Sequence, residues 1–272
     1  MKALVINLSS SIDRMIFQTQ QLNDLSIKFE RLPAVSVNEL EEAVYEAYYL
    51  TWERPLKKPE VACFLSHKKA WERVVKENSP MLVLEDDALL SIYTPNVMDE
   101  LEKMHDMDYV TLEIRGRKKI VSTRVFYKFD RYSLRQLYQD RTGAAGYVLW
   151  PNGAKKLLKK AAEGRMGLAD AFISSTYTMN MFQIEPAVII QLDQCEHYGL
   201  DSPFRTDSCI SSETKPFGYW KNRYKRITGQ IKLGLRRLKV FRYSIKKDIP
   251  LSPDFYNSYG YERGKRTPKK NT

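Results

Sequence analysis

Three consecutive carboxylates, Glu85-Asp86-Asp87, follow the short apolar run Met81-Leu82-Val83-Leu84. Four apolar residues are too few for a free-standing helix, and the run reads as a buried strand. A strand that is apolar on both faces belongs inside a parallel α/β sheet covered by helices. The carboxylates then lie just past its carboxyl end, where open α/β sheets bind their ligands. Three adjacent negative charges repel one another, and partial burial strengthens the repulsion. A divalent cation carrying a phosphate ligand would relieve it. The plain alternative is a solvated acidic turn.

The rest of the chain supports an α/β reading. Residues 3–8 read as a first strand. Ser9-Ser10-Ser11 supplies a cap for a helix over 11–24, with Ile12, Met15, Ile16, Thr19 and Leu22 at helical spacing. A second strand is expected over 27–35. Asn38 is read as the cap of a helix over 39–49, and a long helix follows over 60–77. A helix over 95–104 and a strand over 108–112 come next, then a β-rich stretch over 120–150. Helices from Pro151 and Asp170 and strands near 181–184 and 187–192 complete the pattern. Such alternation favours a mixed, mostly parallel central sheet flanked by helices. The glycines of 143–150 allow close backbone approach to a ligand.

Length and composition bound the rest. The 272 residues, 43% of them hydrophobic, suffice for one large core. Three unpatterned cysteines, Cys63, Cys195 and Cys209, form no disulfide framework or zinc spacing and suit a reducing cytosol. The apolar start at 3–8 is too short for a signal peptide, and no run approaches the length of a membrane span. A soluble or peripheral protein is expected.

Charge is unevenly placed. Eleven basic residues and no acid lie between Lys221 and Lys247, against a net charge of +11 for the whole chain. The first 220 residues are therefore close to neutral. The expected organisation is a catalytic body over 1–220 and a basic, partly amphipathic tail over 221–272. Apolar residues interleave with the charges of the tail. That pattern suits a helix on an anionic membrane surface, nucleic acid bound by counterion release, or a disordered tail; the membrane surface is preferred.

Val61-Ala62-Cys63-Phe64-Leu65-Ser66-His67 and Leu84-Glu85-Asp86-Asp87 resemble motifs of glycosyltransferase family 25, the bacterial lipooligosaccharide galactosyltransferases and their collagen-modifying relatives. Val5-Ile6-Asn7-Leu8 with Asp13-Arg14, and the segment from Gly143 to Gly153-Ala154, extend the likeness over residues 1–192. Pro59-Glu60-Val61-Ala62 stands where the family often has a glycine, and Gly167-Leu168-Ala169-Asp170 where it often has Pro-Val-Asp. The resemblance implies a GT-A-like fold, a UDP-sugar donor (usually UDP-galactose) and inversion at the anomeric carbon. It also implies an oligosaccharide or lipid-linked glycan acceptor, and action on the cytoplasmic face of a bacterial inner membrane.

On that resemblance the triplet is the family's form of the DxD motif. It would bind a divalent metal, manganese or magnesium, with Asp87 as the foremost ligand and Glu85 beside it. Glu85 or Asp86 would instead reach the ribose. Arg14, flanking the first strand with Asn7, is either a diphosphate contact or a surface arginine. Ser66 and His67 would contact the nucleotide or the metal. Asp170, after a glycine-containing turn, is expected as the general base that inversion needs; the alternative is a helix cap. His197 is a candidate third metal ligand, with Asp193 and Glu196 as rivals. Two other functions remain open: a two-metal phosphohydrolase drawing on Asp108 and Glu113, and a non-catalytic basic binding module.

Overall fold

The computed structural model describes residues 1–140, 143–164, 166–203 and 220–260. The chain opens with β1 (Lys2–Asn7), α1 (Ile12–Asp24) and β2 (Phe29–Pro33). α2 (Glu42–Tyr49), the long α3 (Lys58–Glu77), β3 (Met81–Glu85), β4 (Ala88–Leu90) and α4 (Thr94–Glu102) follow. The middle is β-rich: β5 (Tyr109–Thr111), β6 (Glu113–Ile114), β7 (Lys119–Ser122), β8 (Tyr127–Phe129), β9 (Tyr132–Gln139) and β10 (Gly146–Leu149). The remainder is α5 (Pro151–Ala162), α6 (Ala169–Ser174), β11 (Met181–Glu185), β12 (Ile189–Gln191), α7 (Trp220–Val240), β13 (Ser244–Lys247) and α8 (Asp254–Tyr259).

One large mixed sheet runs β13-β7-β9-β11-β5-β10-β3-β1-β2, with β8 paired to β9, and a small sheet runs β4-β12-β6. The expected mixed α/β architecture is present, but parallel pairing does not dominate. In the large sheet it joins β2, β1 and β3, and β5 to β11; the other pairs are antiparallel. Parallel neighbours need a long crossover, which α1 and α3 supply at the amino-terminal edge. β7, β8 and β9 are joined by short connections that return the chain antiparallel.

Side-chain alternation divides the interior into two cores. Leu4 and Ile6 of β1 and Val83 of β3 face α3, α5 and α6; Ala3, Val5, Leu82 and Leu84 face α1 and α4. On the first side Trp71 stacks on Phe172 at 5.6 Å, and Phe64 meets both rings edge-on. Each such aromatic buries about 150–250 Å², a large share of the local driving force. This packing holds α3 against the sheet and so fixes the side chains it carries toward β3.

Two local expectations change. Asn38 caps no helix: it lies within a 3-10 turn whose capping box joins Ser36 to Glu39, and α2 starts at Glu42. The segment after residue 220 is only in part a tail. α7 is helical, but β13 adds a strand to β7, and Ile249, Leu251 and Phe255 are buried in the body. Lys247 and Arg135 both pair with Glu185, which ties β13 down. Residues 204–219 and 261–272 of the expected domains lie outside the described residues.

Candidate active site

The acidic triplet stands where the two sheets part. β3 ends at Glu85, whose backbone N–H bonds to Ala145 O at 2.9 Å, and the chain then turns through Asp86 and Asp87 into β4 of the small sheet. β12, the partner of β4, brings Gln191 beside it. The Gln191 amide nitrogen reaches Glu85 Oε2 at 3.2 Å and Asp87 Oδ1 at 3.5 Å. Burial, joined by the charges of Glu85 and Asp86, pushes the Asp87 carboxyl up to about 7, against the pull of Arg14 and Gln191. One amide is thus shared by two carboxylates that repel each other.

Asp86 points the other way. Its Oδ2 accepts from Asn7 Nδ2 at 2.8 Å and its Oδ1 from Arg14 Nη1 at 3.1 Å. Burial raises its carboxyl while these two partners lower it. Asn7 also donates to Ser11 O at 3.0 Å and accepts from Arg31 Nε at 2.8 Å. Both amide hydrogens of Asn7 are therefore spent, and it serves as the hub that locks the turn after β1 to the triplet. Asp86, expected as a candidate ribose contact, thus has an anchoring role within the protein, and Arg14 is turned to it.

His67 and Ser66 are buried on α3. His67 Nε2 lies 3.1 Å from Glu85 Oε1 and Nδ1 3.0 Å from the Tyr147 hydroxyl, which also accepts from Trp71 Nε1 at 3.1 Å. The neutral tautomer with its proton on Nε2 satisfies every partner: Trp71 donates to Tyr147, Tyr147 to His67, and His67 to Glu85. His67 positions Glu85, with both ring nitrogens engaged inside the protein. Ser66 accepts from Val35 N at 2.8 Å and donates to Ala62 O at 2.8 Å, tying α3 to the chain after β2. Ser66, expected near the nucleotide, thus has a structural role within the protein.

Asp170 is the second residue of α6, and its Oδ1 accepts from Ala171 N at 2.7 Å. Leu168, not Asp170, holds the cap position. Burial raises the Asp170 carboxyl; Asp140 and Glu85 raise it further and Arg115 opposes. Asp170 therefore stands in the same electrostatic field as the triplet. His197 does not join the triplet. It is exposed on a 3-10 turn over Gly116, whose N–H donates to Tyr198 OH at 2.7 Å. Its rival Asp193 is paired with Arg115 at 2.6 Å.

Among the described residues, the metal-capable side chains gathered within 4.8 Å are Cys63, His67 and Glu85. Burial and the charges of Glu85, Asp170 and Asp87 push the Cys63 thiol well up, which disfavours a thiolate there, and both His67 nitrogens are engaged. Carboxylate oxygens are the ligands that remain. Glu85 and Asp87, mutually repelling and sharing one Gln191 amide, fit a hard divalent cation.

Three site residues escaped sequence reasoning, Gln191, Tyr147 and Cys63 as a neighbour of Glu85, and Glu113 was weighed only for a phosphohydrolase. Gln191 lies at the end of an apolar strand, and Glu113 alternates with Leu112 and Ile114 as an inward-facing carboxylate. Asp108, considered for a phosphohydrolase, is taken up by Asn152 at 2.8 Å, Lys156 at 2.6 Å and Asn180 N at 2.7 Å.

Clustered carboxylates at the carboxyl edge of an α/β sheet, two of them fit for a cation, suit a protein that handles a phosphorylated ligand. Residues 1–173 match glycosyltransferase family 25 (LPS biosynthesis protein), and the chain belongs to that family. It is similar to the lacto-N-neotetraose biosynthesis glycosyltransferase LgtE of Neisseria gonorrhoeae, 28% identical over 69% of this chain and 72% of that protein. The lipooligosaccharide biosynthesis protein lic2B of Haemophilus influenzae is 25% identical over 70% of this chain and 76% of its own. The procollagen galactosyltransferase 1-B of Xenopus laevis is 24% identical over 85% of this chain, which spans 42% of that longer protein.

Proposed function

We propose that the protein is a metal-assisted, inverting hexosyltransferase. It moves galactose from UDP-galactose to a lipooligosaccharide or other lipid-linked glycan at the cytoplasmic face of a membrane. Membership of the family supports sugar transfer, and the names of the bacterial relatives support the acceptor class. The observation that carries the site reading is the pair Glu85 and Asp87, held by one Gln191 amide at 3.2 and 3.5 Å and backed by His67. These two carboxylates would hold manganese or magnesium, which supplies charge neutralisation at the leaving diphosphate when bound. His67 and Gln191 fix the rotamers of the carboxylates beforehand, so little order is lost on binding. Asp170 takes the proton from the acceptor hydroxyl. Release of UDP from UDP-galactose with manganese and a lipooligosaccharide acceptor tests the reading; no release from any UDP-hexose would end it.

The membrane contact is assigned to α7. Ile227, Ile231, Leu235 and Leu238 recur at helical spacing, and each is about half or more exposed. The opposite face meets the body: Arg236 donates to Tyr138 O at 3.0 Å and stacks on Tyr177, and Val240 is buried. Among the described residues no helix is long and apolar enough to cross a membrane, which leaves an in-plane contact. Replacing both Leu235 and Leu238 by glutamate is expected to lower co-sedimentation with anionic vesicles several-fold and to spare turnover of a soluble acceptor. Full binding by that variant would remove α7 from the account.

A further inference from the structure

We propose that Glu113 Oε2 and Gln191 Oε1 form a subsite for one hydroxyl group of the donor's hexose, in the notch beside Gly143. The proposal rests on the transferase reading and names residues that select the sugar. Both side chains are buried, with Glu113 0% and Gln191 6% exposed, and these two oxygens have no hydrogen-bond partner. Their other ends are fixed. Glu113 Oε1 accepts from Ala145 N at 3.0 Å, and the Gln191 nitrogen serves Glu85 and Asp87. Each side chain is thus held with one polar atom unspent, and native interiors seldom leave buried acceptors so.

Gly143 marks where the missing partner belongs. A Cβ built there would lie 3.1 Å from Gln191 Oε1 and 3.4 Å from each carboxyl oxygen of Glu113. The two oxygens therefore converge on the face of Gly143 that carries no side chain, and a ligand oxygen standing off that face would be the partner they lack. Other glycines of the segment face no unpartnered side-chain oxygen. A Cβ on Gly146 would meet Ile189 at 2.5 Å, and one on Gly153 would meet Asp108 O at 2.2 Å. Those two glycines serve packing, whereas Gly143 faces polar atoms and is half-buried.

The chemistry suits a hydroxyl. Burial pushes the Glu113 carboxyl well above the usual range, with Glu85 and Asp140 adding to the push and Lys119 opposing. Lys119 gives Glu113 no side-chain bond: its ammonium is spent on Glu113 O at 2.9 Å, Gln183 at 2.6 Å and Asp140 at 2.8 Å. In the protonated form that burial favours, Glu113 donates through an O–H, while the Gln191 amide oxygen accepts. Together they complement a group that both accepts and donates, which a sugar hydroxyl does and a cation does not. The same Gln191 amide touches the triplet, so the hydroxyl lies one side chain from the carboxylates assigned to the diphosphate cation.

The test is titration calorimetry of the full chain with UDP, UDP-galactose, UDP-glucose and UDP-hexoses each lacking one hydroxyl. In the wild type, hexose adds affinity over UDP, and removing one particular hydroxyl weakens binding about 10-fold, the worth of two ordinary hydrogen bonds. Gly143→Ala should lose the same factor for the intact sugar, show no further loss for that deoxy sugar, and bind UDP as before with an unchanged melting temperature. Glu113→Gln, whose amide N–H replaces the acid O–H, should keep hexose affinity within about 3-fold. Equal loss of UDP and UDP-hexose in Gly143→Ala would make the notch structural. Indifference to Gly143→Ala and to every deleted hydroxyl would mean the two oxygens satisfy each other or hold water, and would overturn the proposal alone. A wild type that binds UDP-hexose no better than UDP would sink the transferase reading as well.

Discussion

Replacing Asp87 by alanine is expected to lower UDP-hexose turnover by about 10³-fold or more, because charge neutralisation by a metal is worth several kcal/mol in the transition state. The protein should stay folded and gain stability when metal-free. Asp87 is held near 7 in the fold against an ordinary value of 3.8. Between those values the folded state binds more protons than the unfolded one. Stability of the metal-free protein therefore falls as pH rises from about 4 to 7, and the penalty stays above 7. In Asp87→Ala that slope should shrink. Manganese should raise the melting temperature of the wild type at pH 8 and lose its effect in the variant and at pH 5, where protons compete for the carboxylate. Melting curves across pH with and without manganese check this. A wild type fully active in excess chelator would remove the metal from the mechanism.

Asp170→Asn is expected to lower transfer by about 10²–10⁴-fold, the range for a lost general base, while UDP affinity stays within a few-fold. Asparagine keeps the size of the side chain and an oxygen that can accept from Ala171 N, so the helix start survives. The raised carboxyl of Asp170 sets the sign of the pH dependence. A base must be ionised to act, so kcat/KM should fall as pH drops through a value above the usual aspartate range. That limb should be absent from the residual activity of the asparagine variant. Wild-type rates in the variant would pass the role to another carboxylate, and Asp140, whose charge bears on Asp170, would be next.

Much of the fold was legible because local signals and tertiary demands agree. The apolar runs at 3–6 and 81–84 became β1 and β3 because each buries both faces, alternating between the two cores. The helices over 60–77 and 151–162 were legible from periodicity and from the prolines near their starts. Pairing direction was not, since short strands such as β6 and β12 carry no mark of their partners. The acidic triplet was legible as a candidate site, but not the contacts its members make. Asn7 and Arg14 come from residues more than seventy positions away and claim Asp86; Gln191, more than a hundred positions away, bridges Glu85 and Asp87. Such long-range partners leave no local pattern. Glu113 was considered only beside Asp108 for a phosphohydrolase, because nothing local marks a lone acid between apolar residues as fully buried. The basic run was read as a tail because charge is a surface signal, yet Ile249, Leu251 and Phe255 just beyond it anchor the chain in the core.

The central claim is that Glu85 and Asp87 hold a divalent cation for a UDP-sugar. Its most direct test is manganese binding followed by electron paramagnetic resonance, in the presence of UDP, for the wild type and for Asp87→Ala. The account predicts one UDP-dependent manganese site per wild-type chain, absent from Asp87→Ala, with UDP-hexose turnover lost in parallel. A variant that keeps the site and the activity, or a wild type that turns over UDP-hexose with no bound cation, would contradict it.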